Sequence, residues 1–325
     1  MADHLRILEI SDLRTYYYTS RGIVKAVDGV TLDLKKSESL AIVGESGSGK
    51  STLAYSITKL LPDNAQIVNG NIWLYPEKID LVKLSNDEMK KIRGRRIGMV
   101  FQDPMTFLNP VMKVGDQIAE AIMYHQGSTK KEARLKAVEL LEKLRIPDAF
   151  NVASRYPHQL SGGMKQRVII AIAVSCNPAL LIADEPTTAL DVTVQAEVLE
   201  LLRSLINEFK MSLLLVTHDL GIVAEICDRV AIMYAGKIVE IADTYGLYSN
   251  PKHPYTIGLL NAVPSIYKSS NEIGGIKGAP PDLVNPPTGC RFSPRCPYVF
   301  DRCIREEPPL RQVDGRAVAC WLVQG

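Results

Sequence analysis

A chain of 325 residues with 38 Lys and Arg against 36 Asp and Glu carries a formal charge of +2. This near balance shows no basic arm and argues against nucleic acid as the main partner. Hydrophobic residues at 46% and charged residues at 23% exclude disorder and fibrous repeats, and the length suits one main domain plus an appendage.

The N-terminal stretch is broken by Asp3, Arg6 and Glu9 before any apolar run develops, so no secretory signal is expected. Val24–Leu34 alternates as a strand does, and the apolar run Leu40–Val43 ends at Gly44 as a buried strand would. Leu53, Ala54, Ile57, Leu60 and Leu61 then fall at helical spacing, which predicts strand, Gly-rich turn and helix over Ser51–Leu61. Ser128–Leu144, rich in Lys, Glu, Ala and Leu, predicts an exposed helix, with Pro147 and Pro157 marking the loop that follows. These features suggest a helical subdomain, about 103–175, inserted in a sheet domain. Val168–Ala183 is the longest apolar stretch, but Ser175, Asn177 and Pro178 interrupt it and a spanning helix needs roughly 20 apolar residues. Membrane association is therefore expected only through partners. Leu180–Ala183 and Leu213–Val216 are uncharged runs after helical patterns, the rhythm of a parallel sheet in an α/β protein. Past about Ile241 the chain is broken by Pro251, Pro254, Pro264, Pro280, Pro281, Pro286 and Pro287, and four of its six cysteines follow. A boundary there gives domains 1–245 and 246–325.

Gly44-Glu45-Ser46-Gly47-Ser48-Gly49-Lys50-Ser51, followed by Thr52, fits GxxxxGK[ST] between the predicted strand and helix. The glycines let backbone N–H groups and the helix N-terminus face phosphates, Lys50 reaches the β and γ groups of ATP, and Ser51 binds Mg²⁺. A strand ending in Asp184-Glu185 is by itself an ordinary solvated turn. Beside a phosphate loop, Asp184 becomes a Mg²⁺ holder and Glu185 the general base for the attacking water. His218 follows the strand Leu213–Val216 and should emerge at the same sheet edge as a γ-phosphate contact, although a lone His there is often only a satisfied polar residue.

Leu160-Ser161-Gly162-Gly163-Met164-Lys165-Gln166-Arg167 resembles the signature sequence of ABC ATPases. The resemblance covers about the first 245 residues. In order, Gln102 in Val100-Phe101-Gln102-Asp103 resembles the Q-loop, Ala189-Leu190-Asp191 the D-loop, and His218 the switch histidine. The implied fold is a P-loop ABC-type ATPase domain of α/β class. It has a mainly parallel sheet, an antiparallel β subdomain and the inserted helical subdomain, followed by a small Cys-rich C-terminal domain. Met164 stands where many members have Gln, but the glycines and Ser161 are in place. Ser161, Gly162 and Gly163 at a helix start can form a second anion site, although alone they would be a simple cap. The family uses them to complete the ATP site of a second subunit in a head-to-tail dimer. An early aromatic stacks on adenine in the family, and of Tyr16, Tyr17 and Tyr18 the position favours Tyr17.

Cys290, Cys296, Cys303 and Cys320 are interleaved with prolines. In a reducing compartment such a cluster points to metal rather than disulfides, and spacings wider than CxxC make an iron–sulfur cluster compete with zinc. Asn250-Pro251-Lys252-His253-Pro254-Tyr255-Thr256, Lys277-Gly278-Ala279-Pro280-Pro281 and the cysteine pattern resemble the ATP-binding subunits of dipeptide and oligopeptide importers. That resemblance implies a [4Fe–4S] cluster on these four cysteines, the alternative being reduced thiols packed as small hydrophobes. The packed-thiol reading is preferred for Cys176 and Cys227.

What the resemblance implies is a peripheral motor on the cytoplasmic face of the membrane, powering import of a small solute such as di- or oligopeptides. Two integral permease subunits, a second motor copy or a paralogue, and indirectly an external solute-binding protein would be its partners. The permease would dock around Gln102 and Asp103–Val111. Related systems carry oligosaccharides or nickel. The competing class, a soluble ABC ATPase of DNA repair or translation, usually shows coiled-coil insertions or two nucleotide domains, and this chain shows neither. A cysteine-based redox sensor is a further alternative.

Overall fold

The computed structural model describes residues 6–102, 104–188, 190–262 and 275–324. Asp103 and Ala189, named above, lie outside them. Among the described residues the strands are β1 (Arg6–Thr19), β2 (Gly22–Lys35), β3 (Ser39–Val43), β4 (Ala65–Leu74), β5 (Ile79–Asp80), β6 (Ile97–Val100), β7 (Leu180–Asp184), β8 (Ser212–Thr217), β9 (Arg229–Tyr234), β10 (Lys237–Asp243), β11 (Arg311–Val313) and β12 (Arg316–Val318). The chain divides into two compact units. One comprises Met1–Leu34, Glu38–Val82 and Val216–Gly325, the other Lys35–Ser37 and Lys83–Leu215.

In the first unit, β2, β1, β4 and β5 form an antiparallel sheet in that order. Its register sets Leu8 opposite Leu74 and Ile10 opposite Ile72, and all four are fully buried. Alternate positions of one strand face the core together, so one register buries the whole apolar set. β3 has no polar alternation because all five of its residues are buried, as in a strand covered on both faces. It pairs in parallel with β9. β9 continues antiparallel to β10, and β10 to β12, so the C-terminal region adds strands to the β3–β9 pair. The helix after β3 runs Lys50–Thr58 and stops at Lys59, which adopts a left-handed φ of 49° and bonds back to Ser56 and Tyr55. Leu60 and Leu61, expected inside it, lie beyond, and Pro62 cannot prolong a helix.

A buried carboxylate ties this unit together. Asp28 on β2 accepts from the Tyr16 hydroxyl on β1 at 2.7 Å, and Arg14 and Lys237 stand 3.6 and 3.9 Å away. Arg291, from the C-terminal region, bonds the same carboxylate and also the Ala235 carbonyl. Burial pushes the Asp28 pKa up, but the Tyr16 hydrogen bond and the charges of Lys237, Arg291 and Arg14 outweigh it and hold the pKa below the usual value.

In the second unit, β6 and β7 are parallel, from Ile97 opposite Leu180 to Val100 opposite Ala183, with β8 beside β7. Helices follow at Pro104–Phe107, Val114–Gln126, Lys130–Lys143, Ala149–Val152 and Gly162–Val174. The helix expected over Ser128–Leu144 starts after a capping box of Thr129 and Glu132. It buries Ala133, Ala137, Leu140 and Leu141, an i, i+4, i+7, i+8 stripe. The loop expected between Pro147 and Pro157 contains the four-residue helix Ala149–Val152, entered from a left-handed Asp148.

Arg291→Ala should lower stability by about 3 kcal/mol, because it strips a buried carboxylate of its closest cation. A folded pKa below the unfolded value contributes stability that is present above about pH 4 and lost as pH falls through the folded pKa. Urea unfolding of Arg291→Ala should therefore show its largest deficit near neutral pH, shrinking toward pH 3.

Candidate functional site

In the first unit, β3 hands over at Val43 to the loop Gly44–Gly49, which opens the helix Lys50–Thr58. Close backbone approach demands glycine at both ends. A Cβ on Gly44 would stand 2.1 Å from the Met233 carbonyl oxygen, and one on Gly49, whose φ is 104°, 2.0 Å from the Ala26 carbonyl oxygen. Gly236 N–H donates to the Ser48 carbonyl at 2.8 Å, and Ser48 N–H to the Glu45 carbonyl at 3.2 Å. Lys50 folds across the loop, its Nζ donating to the carbonyls of Gly44 (2.8 Å) and Glu45 (2.9 Å). Ser48 Oγ is buried without a hydrogen-bond partner, a condition that native proteins rarely tolerate and that a phosphate oxygen would relieve.

Ser51 and Thr52 sit in the first helical turn. Tyr17 lies 3.1 Å from Thr52 through the two hydroxyls. Strand alternation sets Tyr17 on the face opposite Tyr16, which donates to Asp28, and Tyr18, which is 47% exposed. His218 follows the last residue of β8 and is exposed, and the next residue, Asp219, caps the helix Leu220–Ile226.

In the second unit, Asp184 ends β7 fully buried. Glu185 follows with a φ of 45°, a left-handed conformation that costs a non-glycine residue roughly 1–3 kcal/mol and clusters at functional sites. Gln102 Nε2 donates to Glu185 Oε2 at 2.9 Å, and Thr188 Oγ1 is 3.0 Å from the same oxygen. The fold thus unites two expected residues that lie 83 positions apart. Ser161 caps the helix Gly162–Val174, its Oγ accepting from Met164 N–H at 3.3 Å. Asp191 caps the helix Val192–Phe209 through Val194 N–H at 3.0 Å. A Cβ on Gly163 would meet Val194 Cγ1 at 2.6 Å, while Gly162 has its nearest neighbour, Leu190, at 3.7 Å. A side chain at Gly163 would therefore force Val194 to shift at these helix starts.

Three residues around the phosphate loop were not singled out for it from sequence. Glu45 occupies an unspecified position of the motif. Its partners Tyr255 and Arg295 lie 210 and 250 positions further on, a separation that no local pattern reveals.

The metal expectation for the cysteines is overturned. Among the described residues no group of three or more His, Cys, Asp or Glu side chains could hold a metal ion. Cys290, Cys296, Cys303 and Cys320 border a cavity of only about 10 Å³, with His253, Phe292 and Trp321. Burial raises the Cys290 thiol to about 12 and also raises Cys296 and Cys320, as expected of thiols packed in an apolar setting. They are packed thiols, and neither the iron–sulfur nor the zinc assignment stands. Cys227 is likewise buried and raised to about 12.

Among the described residues no helix is long and apolar enough to cross a membrane. Residues 27–188 match the ABC transporter family, and residues 239–303 match the oligopeptide/dipeptide transporter C-terminal region. The chain is 49% identical to the oligopeptide transport ATP-binding protein AppD of Bacillus subtilis, over 98% of its own length and 97% of the relative. It is 48% identical to the dipeptide transport ATP-binding protein DppD of the same organism, over 98% and 95%. Identity to the oligopeptide transport ATP-binding protein OppD of Salmonella typhimurium is 46%, over 97% and 93%. Among solved structures, the ATP-binding cassette MJ0796, a dimer in a post-hydrolysis state bound to ADP and Pi, matches with a TM-score of 0.65 at 30% identity, covering 73% of this chain and 98% of that one. The cbiO1 protein of Clostridium perfringens, part of the ABC transporter complex cbiONQ, matches with a TM-score of 0.64 at 29% identity, over 76% and 92%. The fold is that of an ABC ATPase, and over nearly its whole length the chain belongs to the oligopeptide/dipeptide-type ATP-binding subunits of ABC transporters.

Proposed function

We propose that this chain is the ATP-hydrolysing motor of a peptide importer, driving uptake of di- or oligopeptides through membrane subunits. The observation that carries the ATPase reading is the glycine-bounded loop Gly44–Gly49, with Lys50 folded over it and Ser48 Oγ buried without a partner. Near full-length likeness to oligopeptide and dipeptide transport ATP-binding proteins supports peptide as the cargo over oligosaccharide or nickel. It also disfavours a soluble repair or translation ATPase.

In this reading, loop N–H groups of Ser46, Gly47 and Gly49, the Ser48 hydroxyl and the first turn of the helix at Lys50 receive the phosphates of ATP. Lys50 leaves the Gly44 and Glu45 carbonyls for the β- and γ-phosphates, and Tyr17 stacks on the adenine. The Ser51 hydroxyl, the Gln102 amide oxygen and the Asp184 carboxylate are hard oxygen donors of the kind Mg²⁺ selects. Held by these donors, Mg²⁺ would supply neutralisation of the phosphate charge. Glu185, oriented by Gln102 and Thr188, takes a proton from water as the water oxygen attacks the γ-phosphorus in line. The bond from the γ-phosphorus to the bridging oxygen breaks, leaving ADP and inorganic phosphate. His218 contacts the γ-phosphate, and no covalent enzyme intermediate forms.

Ser161, Gly162 and Gly163, with Asp191, would complete the phosphate site of a second motor subunit in a head-to-tail dimer of two copies or two paralogues. The dimeric state of the cassette MJ0796 supports this arrangement. The two permease subunits would dock at the cytoplasmic face beside Gln102 and the segment that runs to Val111. Phe107 and Val111 expose 48% and 81% of their surface in that segment. An external solute-binding protein would deliver the peptide. We assign 1–245 to the nucleotide-binding domain, with its helical subdomain at about 103–175, and 246–325 to a Cys-rich C-terminal domain. The family match over 239–303 supports this division.

Glu185→Gln should retain ATP binding while steady-state phosphate release falls by roughly 10²–10⁴-fold, the usual worth of a general base. Turnover at the wild-type rate would remove Glu185 from that role. Gly44→Ala should weaken ATP binding about tenfold or more, because its Cβ cannot coexist with the Met233 carbonyl. Calorimetric titration alongside a far-UV spectrum separates lost binding from lost fold.

A further inference from the structure

We propose that Arg295 is a positioning residue for the phosphate loop: reaching back from the C-terminal region, it clamps Glu45 and cancels its charge beside the ATP phosphates. The proposal rests on the reading of Gly44–Ser51 as the ATP site.

Glu45 is held at every polar group. Its N–H donates to the Tyr255 hydroxyl at 2.9 Å. Its carbonyl accepts from Lys50 Nζ at 2.9 Å and from Ser48 N–H at 3.2 Å. Its carboxylate takes both arms of the Arg295 guanidinium, Nη1 to Oε2 at 2.7 Å and Nη2 to Oε1 at 3.0 Å. This is the bidentate fork that makes an arginine–carboxylate pair strong and directional. The Arg295 side chain is only 4% exposed and that of Glu45 27%, so solvent screens the pair weakly.

Arg295 is itself fixed from three further sides. Nε donates to the Lys277 carbonyl at 3.1 Å, Nη1 to the Tyr234 hydroxyl at 3.3 Å, and Nη2 to the Ile276 carbonyl at 3.4 Å. The planar group has five N–H donors, and five bonds are made. The turn that carries Arg295 is anchored by Phe292, whose ring packs on Tyr234 and Tyr255 at centroid distances of 5.2 and 5.4 Å. Tyr255 therefore contacts the loop backbone and packs on the anchor of the clamp. Pro280, Pro281 and Leu283 border the outer side of the same loop, and the Leu283 carbonyl accepts from Lys25 N–H at 3.0 Å.

Rigidity alone does not explain the charge at this position. A loop that must attract a polyanion carries a carboxylate beside its first glycine, and that carboxylate would repel the phosphates unless matched. The fork of Arg295 supplies the match and fixes the residue whose backbone carbonyl accepts from Ser48 N–H and Lys50 Nζ. A structural strut would affect stability. A clamp on this loop affects ATP affinity, and does so through the Glu45 charge.

The test is calorimetric ATP titration of the full chain, with KM and kcat from phosphate release, on wild type, Arg295→Ala, Arg295→Lys, Glu45→Gln combined with Arg295→Ala, and Lys50→Ala. Arg295→Ala should raise Kd and KM about tenfold with kcat within about twofold, the lysine variant should recover part of the loss, and the double variant most of it. Wild-type affinity in a folded Arg295→Ala chain overturns the clamp, as does a double variant no better than Arg295→Ala. If Arg295→Ala folds poorly, Arg295→Lys decides: intermediate weakening supports the clamp and wild-type affinity refutes it. Unchanged ATP binding in Lys50→Ala would refute the site reading itself, whereas loss in Lys50→Ala with none in Arg295→Ala refutes only the clamp.

Discussion

The phosphate loop passes between two carbonyl oxygens with no room for a side chain at either end. Met233 on β9 closes on Gly44, and Ala26 on β2 closes on Gly49. That double approach requires β3 to lie parallel to β9, because this pairing brings Met233 to the strand end where the loop begins. It also requires the end of β9 to turn back through Gly236, whose N–H holds the Ser48 carbonyl. The antiparallel sheet then presents Ala26 from the other side. The glycines permit the squeeze, and the strands around them impose it. Because those carbonyls and hydrogen bonds fix the loop from behind, its remaining N–H groups are organised before any ligand arrives, which lowers the ordering cost of binding a polyanion.

Electrostatics extends the same dependence to the far end of the chain. Two acidic side chains of the N-terminal part, Asp28 and Glu45, are each met by an arginine of one short C-terminal stretch, Arg291 and Arg295. Breaking a buried pair by removing one partner costs more than never having built it, because the remaining charge is stranded. The C-terminal region thus has a stake in the unit that its two β12-side strands alone would not give it. The pairing of Glu240 with Val318 and of Ile241 with Ala317 joins edges, while the arginines reach inward to the strand and the loop that shape the nucleotide site.

Much of this architecture was legible in sequence because it is local. The strand–loop–helix at Leu40–Thr58 and the runs that became β7 and β8 carry their signal within a few residues. The capping box at Thr129 does so too. What sequence left open is what depends on burial and on distant partners. Of three adjacent tyrosines, alternation turns Tyr16 toward Asp28 and places Tyr17 at Thr52, but only the register of β1 decides which face is which. Ser161 was readable either as a cap or as a phosphate ligand, and its bond to Met164 N–H leaves both uses compatible in turn. The four clustered cysteines misled for a related reason. Their proximity along the chain does not by itself arrange them as ligands, and among the described residues no group of three or more such side chains could hold a metal ion.

Glu185 shows how position and strain divide the work of a site. Asp184 ends a regular strand and is buried by it, so its placement follows from the sheet. Glu185, one residue later, leaves that geometry with a left-handed backbone, a conformation that Lys59 and Asp148 also adopt at helix ends. The strain is tolerated because Gln102 and Thr188 converge on one carboxylate oxygen, and each such hydrogen bond to a charged group recovers about 1.5–3 kcal/mol. Gln102 sits just beyond β6, whose pairing with β7 sets it level with Glu185. Two residues far apart in sequence are thus brought into register by a parallel strand pair, so a shift of β6 by one residue would carry Gln102 away from the carboxylate it orients.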